Sequence, residues 1–179
     1  MKRFIAVALA CLLACSAAMA ADPDTEELDA QITQFLMTMN FGKLMKDAVV
    51  ASLKDDKRGG ATARALMQLP EQRYAAVAAP LFRSEVSLEG ARKMVQFYTS
   101  ETMNRVRAAQ DRNGDKDTPV GVTPAEYAEY EAFMKSEPGR AAFRIGEAIS
   151  QSAFQDKYLA ALEEEMDRLF EVSEKETKH

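Results

Sequence analysis

The sequence predicts an all-α fold: a single domain of about seven or eight helices, with two helix–Ser–helix units and a long C-terminal helix. Three observations predict it. Apolar residues recur at helical spacing in nearly every segment, and no stretch alternates convincingly with period two. Helix-start signals precede several of these runs; Thr123-Pro124-Ala125-Glu126 joins a threonine cap, a proline at the first helical position and a glutamate at the third. Finally, Phe97-Tyr98-Thr99-Ser100-Glu101 returns thirty-six positions later as Phe133-Met134-Lys135-Ser136-Glu137. Each copy of this Phe-x-x-Ser-Glu signature stands where one amphipathic run stops and another starts.

The chain opens on a leader. Lys2-Arg3 is a positive head, residues 4–14 are apolar, and Ala18-Met19-Ala20 is a small-x-small cleavage site. Residues 1–20 therefore read as a signal peptide, the folded chain is expected to begin at Ala21, and the expected location is the bacterial periplasm. Leu12-Leu13-Ala14-Cys15 supports an alternative, a lipobox in which Cys15 carries lipid and anchors the protein to the envelope. Both cysteines, Cys11 and Cys15, lie in the leader, so a chain starting at Ala21 has no disulfide. Its core alone must hold it, which a length of about 160 residues permits. Losing Lys2 and Arg3 takes the net charge from −5 to −7. A mildly acidic, mixed surface argues against nucleic acid and anionic membranes as partners.

After the leader, Asp24-Thr25-Glu26-Glu27 reads as an acidic cap with a glutamate three residues on, followed by Leu28, Ile32, Phe35, Leu36 and Met39 at helical spacing. Asn40-Phe41-Gly42 interrupts, and Leu44, Met45, Ala48, Val49 and Leu53 carry a second helix. Residues 54–60 form a charged loop ending in a glycine pair. A short helix over 61–69 precedes one begun by Pro70-Glu71, in which Pro80 predicts a kink near Ala79. Leu88, Ala91, Met94, Val95 and Tyr98 form the next apolar face, up to the first signature. In each signature the serine is expected to cap the following helix, with Phe97 and Phe133 buried. Residues 111–121 read as a polar loop. The last helix is expected from about Glu137 to Val172 without a break, its seam running Ala141, Ile145, Ala148, Ser152, Gln155, Leu159, Leu162, Met166 and Leu169, widened by Phe143, Ile149, Phe154 and Tyr158. Gly146 within it suggests a close helix contact. The domain then spans 21–172, with a charged tail over 173–179.

At the two signatures the sequence resembles a bacterial exported family catalogued as domain of unknown function 2059, whose hallmark is an aromatic-x-x-Ser-x-x-Gly-Lys/Arg segment between helices. The second copy fits through Phe133, Ser136, Gly139 and Arg140. The first keeps Phe97, Tyr98 and Ser100 but has Met103 and Asn104 at the glycine and basic positions, with Arg105 one place late. The resemblance covers about residues 85–150. It implies an all-helical fold and export, and no known activity.

Candidate chemistry is sparse. Asp111, Asn113, Asp115 and Asp117 stand at positions one, three, five and seven of a calcium-type loop, but Lys116 takes the glycine place and Val122 the closing glutamate place. An Asx-rich turn explains the same residues. Met37, Met39 and Met45 offer thioethers to Cu(I), although core packing accounts for them better. Outside the leader there is no cysteine, and His179 is the one histidine. A Ser-His-Asp site or a histidine-ligated zinc therefore lacks its parts. Carboxylate pairs, for instance Glu126, Glu129 and Glu131, or Glu163, Glu164 and Glu165, are available to a hydrolase, and helical spacing places them on a solvated face. Tyr127, Tyr130, Phe133, Phe97 and Tyr98 form an aromatic cluster, read as core or as the lining of a groove. The expectation is a non-enzymatic envelope protein without catalytic, cofactor or metal residues, binding a protein partner or an apolar ligand. The alternatives are a carboxylate-only hydrolase and a lipid-anchored protein through Cys15.

Overall fold

The structure, a computed structural model, describes residues 22–55, 66–113 and 121–176. These form eight α-helices, a helical stretch at residues 66–68 and one 3-10 turn, with no strand among the described residues: α1 (Pro23–Thr38), α2 (Phe41–Asp55), α3 (Glu71–Ala78), the 3-10 turn Ala79–Phe82, α4 (Leu88–Tyr98), α5 (Glu101–Asn113), α6 (Pro124–Lys135), α7 (Glu137–Ile149) and α8 (Ser152–Glu176). The all-α expectation holds. The leader with Cys11 and Cys15, the Gly59-Gly60 pair and most of the short helix over 61–69 lie outside the described residues. Among those described, no helix is long and apolar enough to cross a membrane.

Helix α1 lies across α4 and α3, α2 packs on α3, α7 on α4 and α6, and α8 on α3. The core sits where these meet: Ile32, Phe35 and Leu36 from α1, Tyr74 and Ala78 from α3, Met94 from α4, Ile145 from α7 and Tyr158 from α8 are fully enclosed. Tyr158 hydroxyl donates to the Tyr74 carbonyl at 3.1 Å, and Tyr74 hydroxyl donates to the Leu66 carbonyl at 2.6 Å. This chain of bonds lets two phenols be buried without an orphan polar atom. Burial pushes the Tyr158 phenol well above its ordinary range.

Several local expectations change. The first helix is capped by Asp22, not Asp24: Pro23 takes the first helical position and the Asp22 carboxylate accepts the Asp24 N–H at 3.2 Å. Glu27 instead receives Arg92 of α4. Asn40 holds a left-handed φ of 57° between α1 and α2, a conformation its short polar side chain tolerates. Gly42 then lets α2 pass close to α3, since a Cβ there would sit 2.3 Å from the Glu71 carbonyl oxygen. Helix α2 runs through Lys54 and Asp55, and Phe41 and Val49 face the core while Leu44 stays in solvent. Pro80 produces the 3-10 turn after α3, as its missing N–H requires.

The C-terminal helix is two helices. Ser150 closes α7 and α8 starts at Ser152, so the seam changes face at the break. In α8 the buried row is Phe154, Tyr158, Leu162 and Met166, while Ser152, Gln155 and Leu159 point outward. Phe143 is exposed as well. A break of two residues resets the helical phase, which a uniform four-three reading misses. The helix continues to Glu176, past Val172.

Gly146 marks no close contact. A Cβ built there meets nothing within 4 Å, and the position is exposed in mid-helix. Gly146→Ala should therefore stabilise the protein by up to about 1 kcal/mol, seen as a higher urea midpoint, because alanine loses less backbone entropy than glycine.

Candidate binding cleft at the paired helix junctions

Both signatures are junctions, and both serines cap as expected. Ser100 Oγ accepts the Met103 N–H and Ser136 Oγ accepts the Gly139 N–H, each at 3.2 Å. The junctions differ by one residue. Two residues, Thr99 and Ser100, separate α4 from α5, whereas Ser136 alone separates α6 from α7 and ends one helix while capping the next. The tighter turn drives the end of α6 onto the start of α7. A Cβ at Gly139 would lie 2.0 Å from the Phe133 carbonyl oxygen. In the first junction Thr99, the counterpart of Lys135, lies outside the helix, and a buried Met103 occupies the place of Gly139. The first turn thus holds a side chain where the tighter second one has no room for a Cβ.

The junctions meet through their aromatics. Phe97 and Phe133 stack at 3.9 Å between centroids with 8° between planes. Tyr98 joins them edge-on, at 6.0 Å from both rings, and reaches Phe35 of α1 at 4.9 Å. Arg107 sits over the Tyr98 ring at 5.4 Å. Tyr130 and Tyr127 extend the cluster along α6. Phe97 is buried as expected, but Phe133 is only half-buried, because one side of the stack opens on a cleft.

That cleft, of about 400 Å³, is lined by Lys93, Gln96, Phe97, Ser100, Glu129, Phe133, Ser136 and Pro138. Its wall is aromatic and prolyl; its rim is polar. Both cap serines of the repeated signature open onto it. Ser136 hydroxyl donates to the Phe133 carbonyl at 2.5 Å and Glu129 accepts from Thr102 at 2.7 Å, so the polar groups are held in place. The sequence marks Phe97, Phe133 and the serines. It does not mark Gln96, Lys93 or Pro138, which only the packing of α4 against α7 brings to the same opening.

Of the carboxylates singled out for hydrolysis, Glu129 alone lines the junction cleft, while Glu164 and Glu165 line a separate cleft of about 510 Å³ between α3 and α8, beside Arg73, Lys157 and Arg168. Glu126 completes the capping box with Thr123 and bridges to Arg105 at 2.9 Å. Bonds from the Thr123 N–H and hydroxyl, and then the Arg105 guanidinium, hold its carboxyl below the ordinary 4.5. Glu131 pairs with Lys135, and Glu165 with Arg73. A lowered carboxylate pKa stabilises the fold above about pH 4.5, and that contribution disappears as pH falls through the folded value. Glu126→Gln should accordingly be less stable than the parent at neutral pH and converge on it in acid, measured by thermal melts across pH. Parallel curves would refute the role.

Among the described residues, no group of three or more His, Cys, Asp or Glu side chains is placed to hold a metal. Of the calcium-type residues, Asp111 and Asn113 lie on α5, two apart on a helix and so not facing each other. Asp115 and Asp117 lie outside the described residues. The loop therefore begins later than Asp111. Met37, Met39 and Met45 are half-buried against the core. No family model, curated protein or solved structure matches the chain.

Proposed function

We propose that the protein is an exported, non-enzymatic binding module of the bacterial envelope, related to the domain-of-unknown-function-2059 family, that receives an apolar ligand or an apolar segment of a partner protein in the junction cleft. Supporting export, residues 1–20 have the head, apolar run and cleavage site of a signal peptide. Supporting the family, Phe133, Ser136, Gly139 and Arg140 form a junction in which each of the first three has a structural reason. The observation that carries the binding reading is the stacked Phe97–Phe133 pair, whose half-buried Phe133 opens on the cleft beneath a polar rim. An apolar wall with a few fixed polar groups is the usual make-up of a binding cleft.

A photo-crosslinking residue placed at Gln96, on the rim, tests this in living cells. The expected result is a discrete adduct that is absent when the same residue replaces Glu147, an exposed position on α7. Identical patterns from the two positions, or none from Gln96, would contradict the reading.

A further inference from the structure

A different surface points to self-association. On α7 the exposed ring of Phe143 stands between Arg140 and Arg144, beside Met134, over a shallow recess of about 390 Å³. Arg140 has no carboxylate partner among the described residues. Arg144 donates to the Glu85 carboxylate at 3.0 Å and to the Glu85 carbonyl at 2.9 Å, with Glu137 at 3.8 Å, in exposed pairs of small net worth. The pattern is guanidinium, apolar ring, guanidinium within one helical turn.

Helix α8 carries its inverse. Asp156, Leu159 and Glu163 lie on the outward stripe, with Asp167 one turn further. Leu159 is 52% exposed, and none of these three carboxylates has a cation partner among the described residues. The pattern is carboxylate, apolar side chain, carboxylate. The two patches make no ion pair with each other inside one chain, although α7 and α8 are consecutive. In a protein of net charge −5, an exposed Arg140 without a carboxylate partner among the described residues, next to an exposed aromatic ring, suits an acidic, partly apolar helix face.

We infer that the Arg140–Phe143–Arg144 patch docks on the Asp156–Leu159–Glu163 stripe of a second copy of this chain. A two-fold arrangement lets each copy give its α7 patch and its α8 stripe, so the contact forms twice and closes. Two single-helix patches belong at the small end of interface sizes, below about 1,200 Å², so the dimer is weak and salt-sensitive. This inference does not depend on the cleft.

Sedimentation velocity of the full chain as recovered from its host, from about 1 µM to about 300 µM, tests it over the range expected of so small an interface. The sedimentation coefficient should rise with concentration towards that of a dimer, and the rise should shrink with added salt. Arg140→Glu should abolish it, Glu163→Arg should abolish it, and the two together should restore it. Phe143→Ser, at an exposed position, should abolish it too. A monomer at every concentration, association that survives Arg140→Glu or Phe143→Ser, or a folded double variant that stays monomeric would each overturn the inference.

Discussion

Gly139→Ala is expected to destabilise the protein by about 3 kcal/mol, at the upper end of overpacking costs. The methyl group would lie 2.0 Å from the Phe133 carbonyl oxygen and 2.8 Å from the Met134 Cα, and both are backbone atoms. A flexible side chain can turn aside; here α6 or α7 must move. Moving either separates Ser136 from the Gly139 N–H and disturbs the Phe97–Phe133 stack. Urea unfolding of the variant beside Gly146→Ala, the same change seven residues along the same helix, provides the control. The two should shift in opposite directions. A Gly139→Ala loss below about 0.5 kcal/mol, the level of ordinary surface substitutions, would mean that the one-residue junction is looser than described.

Tyr158→Ala should cost about 4 kcal/mol, in the range of large buried aromatic truncations. The ring is fully enclosed, stacks on Phe154 at 5.7 Å and meets Phe41 edge-on at 5.9 Å, so it joins α8 to the start of α2. Its hydroxyl bonds the Tyr74 carbonyl within α3. Tyr158→Phe separates the two contributions. Keeping the ring and losing the bond should cost about 1 kcal/mol, the usual worth of a neutral hydrogen bond. Equal losses from the two variants would show that the bond, and not the packing, fixes α8.

The helical class, the serine caps and the Thr123 capping box were legible because each is a local rule: a 3.6-residue period, an oxygen placed to meet an orphan N–H, a proline where no N–H is needed. What escaped depends on phase and contact. The α7–α8 break at Ser150-Gln151 has no proline or glycine to announce it, and the residues on either side are ordinary helix formers. Leu159 and Phe143 therefore read as core when they face solvent. Gly139 and Gly146 look alike in sequence; only the proximity of the Phe133 carbonyl separates a required glycine from a costly one. The cleft was half legible. Its aromatic wall is written in the repeated signature, while Lys93, Gln96 and Pro138 reach it from packing between helices far apart in sequence.

The most direct measurement is native mass spectrometry of the protein taken from the envelope of its own host, comparing the parent with Gln96→Trp, which fills the cleft mouth without touching the core. The expected result is a chain beginning at Ala21 that carries a non-covalent adduct, with the adduct lost in the variant. A chain that carries no adduct, or an adduct indifferent to Gln96→Trp, would contradict a binding role for the cleft. A lipid mass on Cys15 would replace the free periplasmic form with an anchored one.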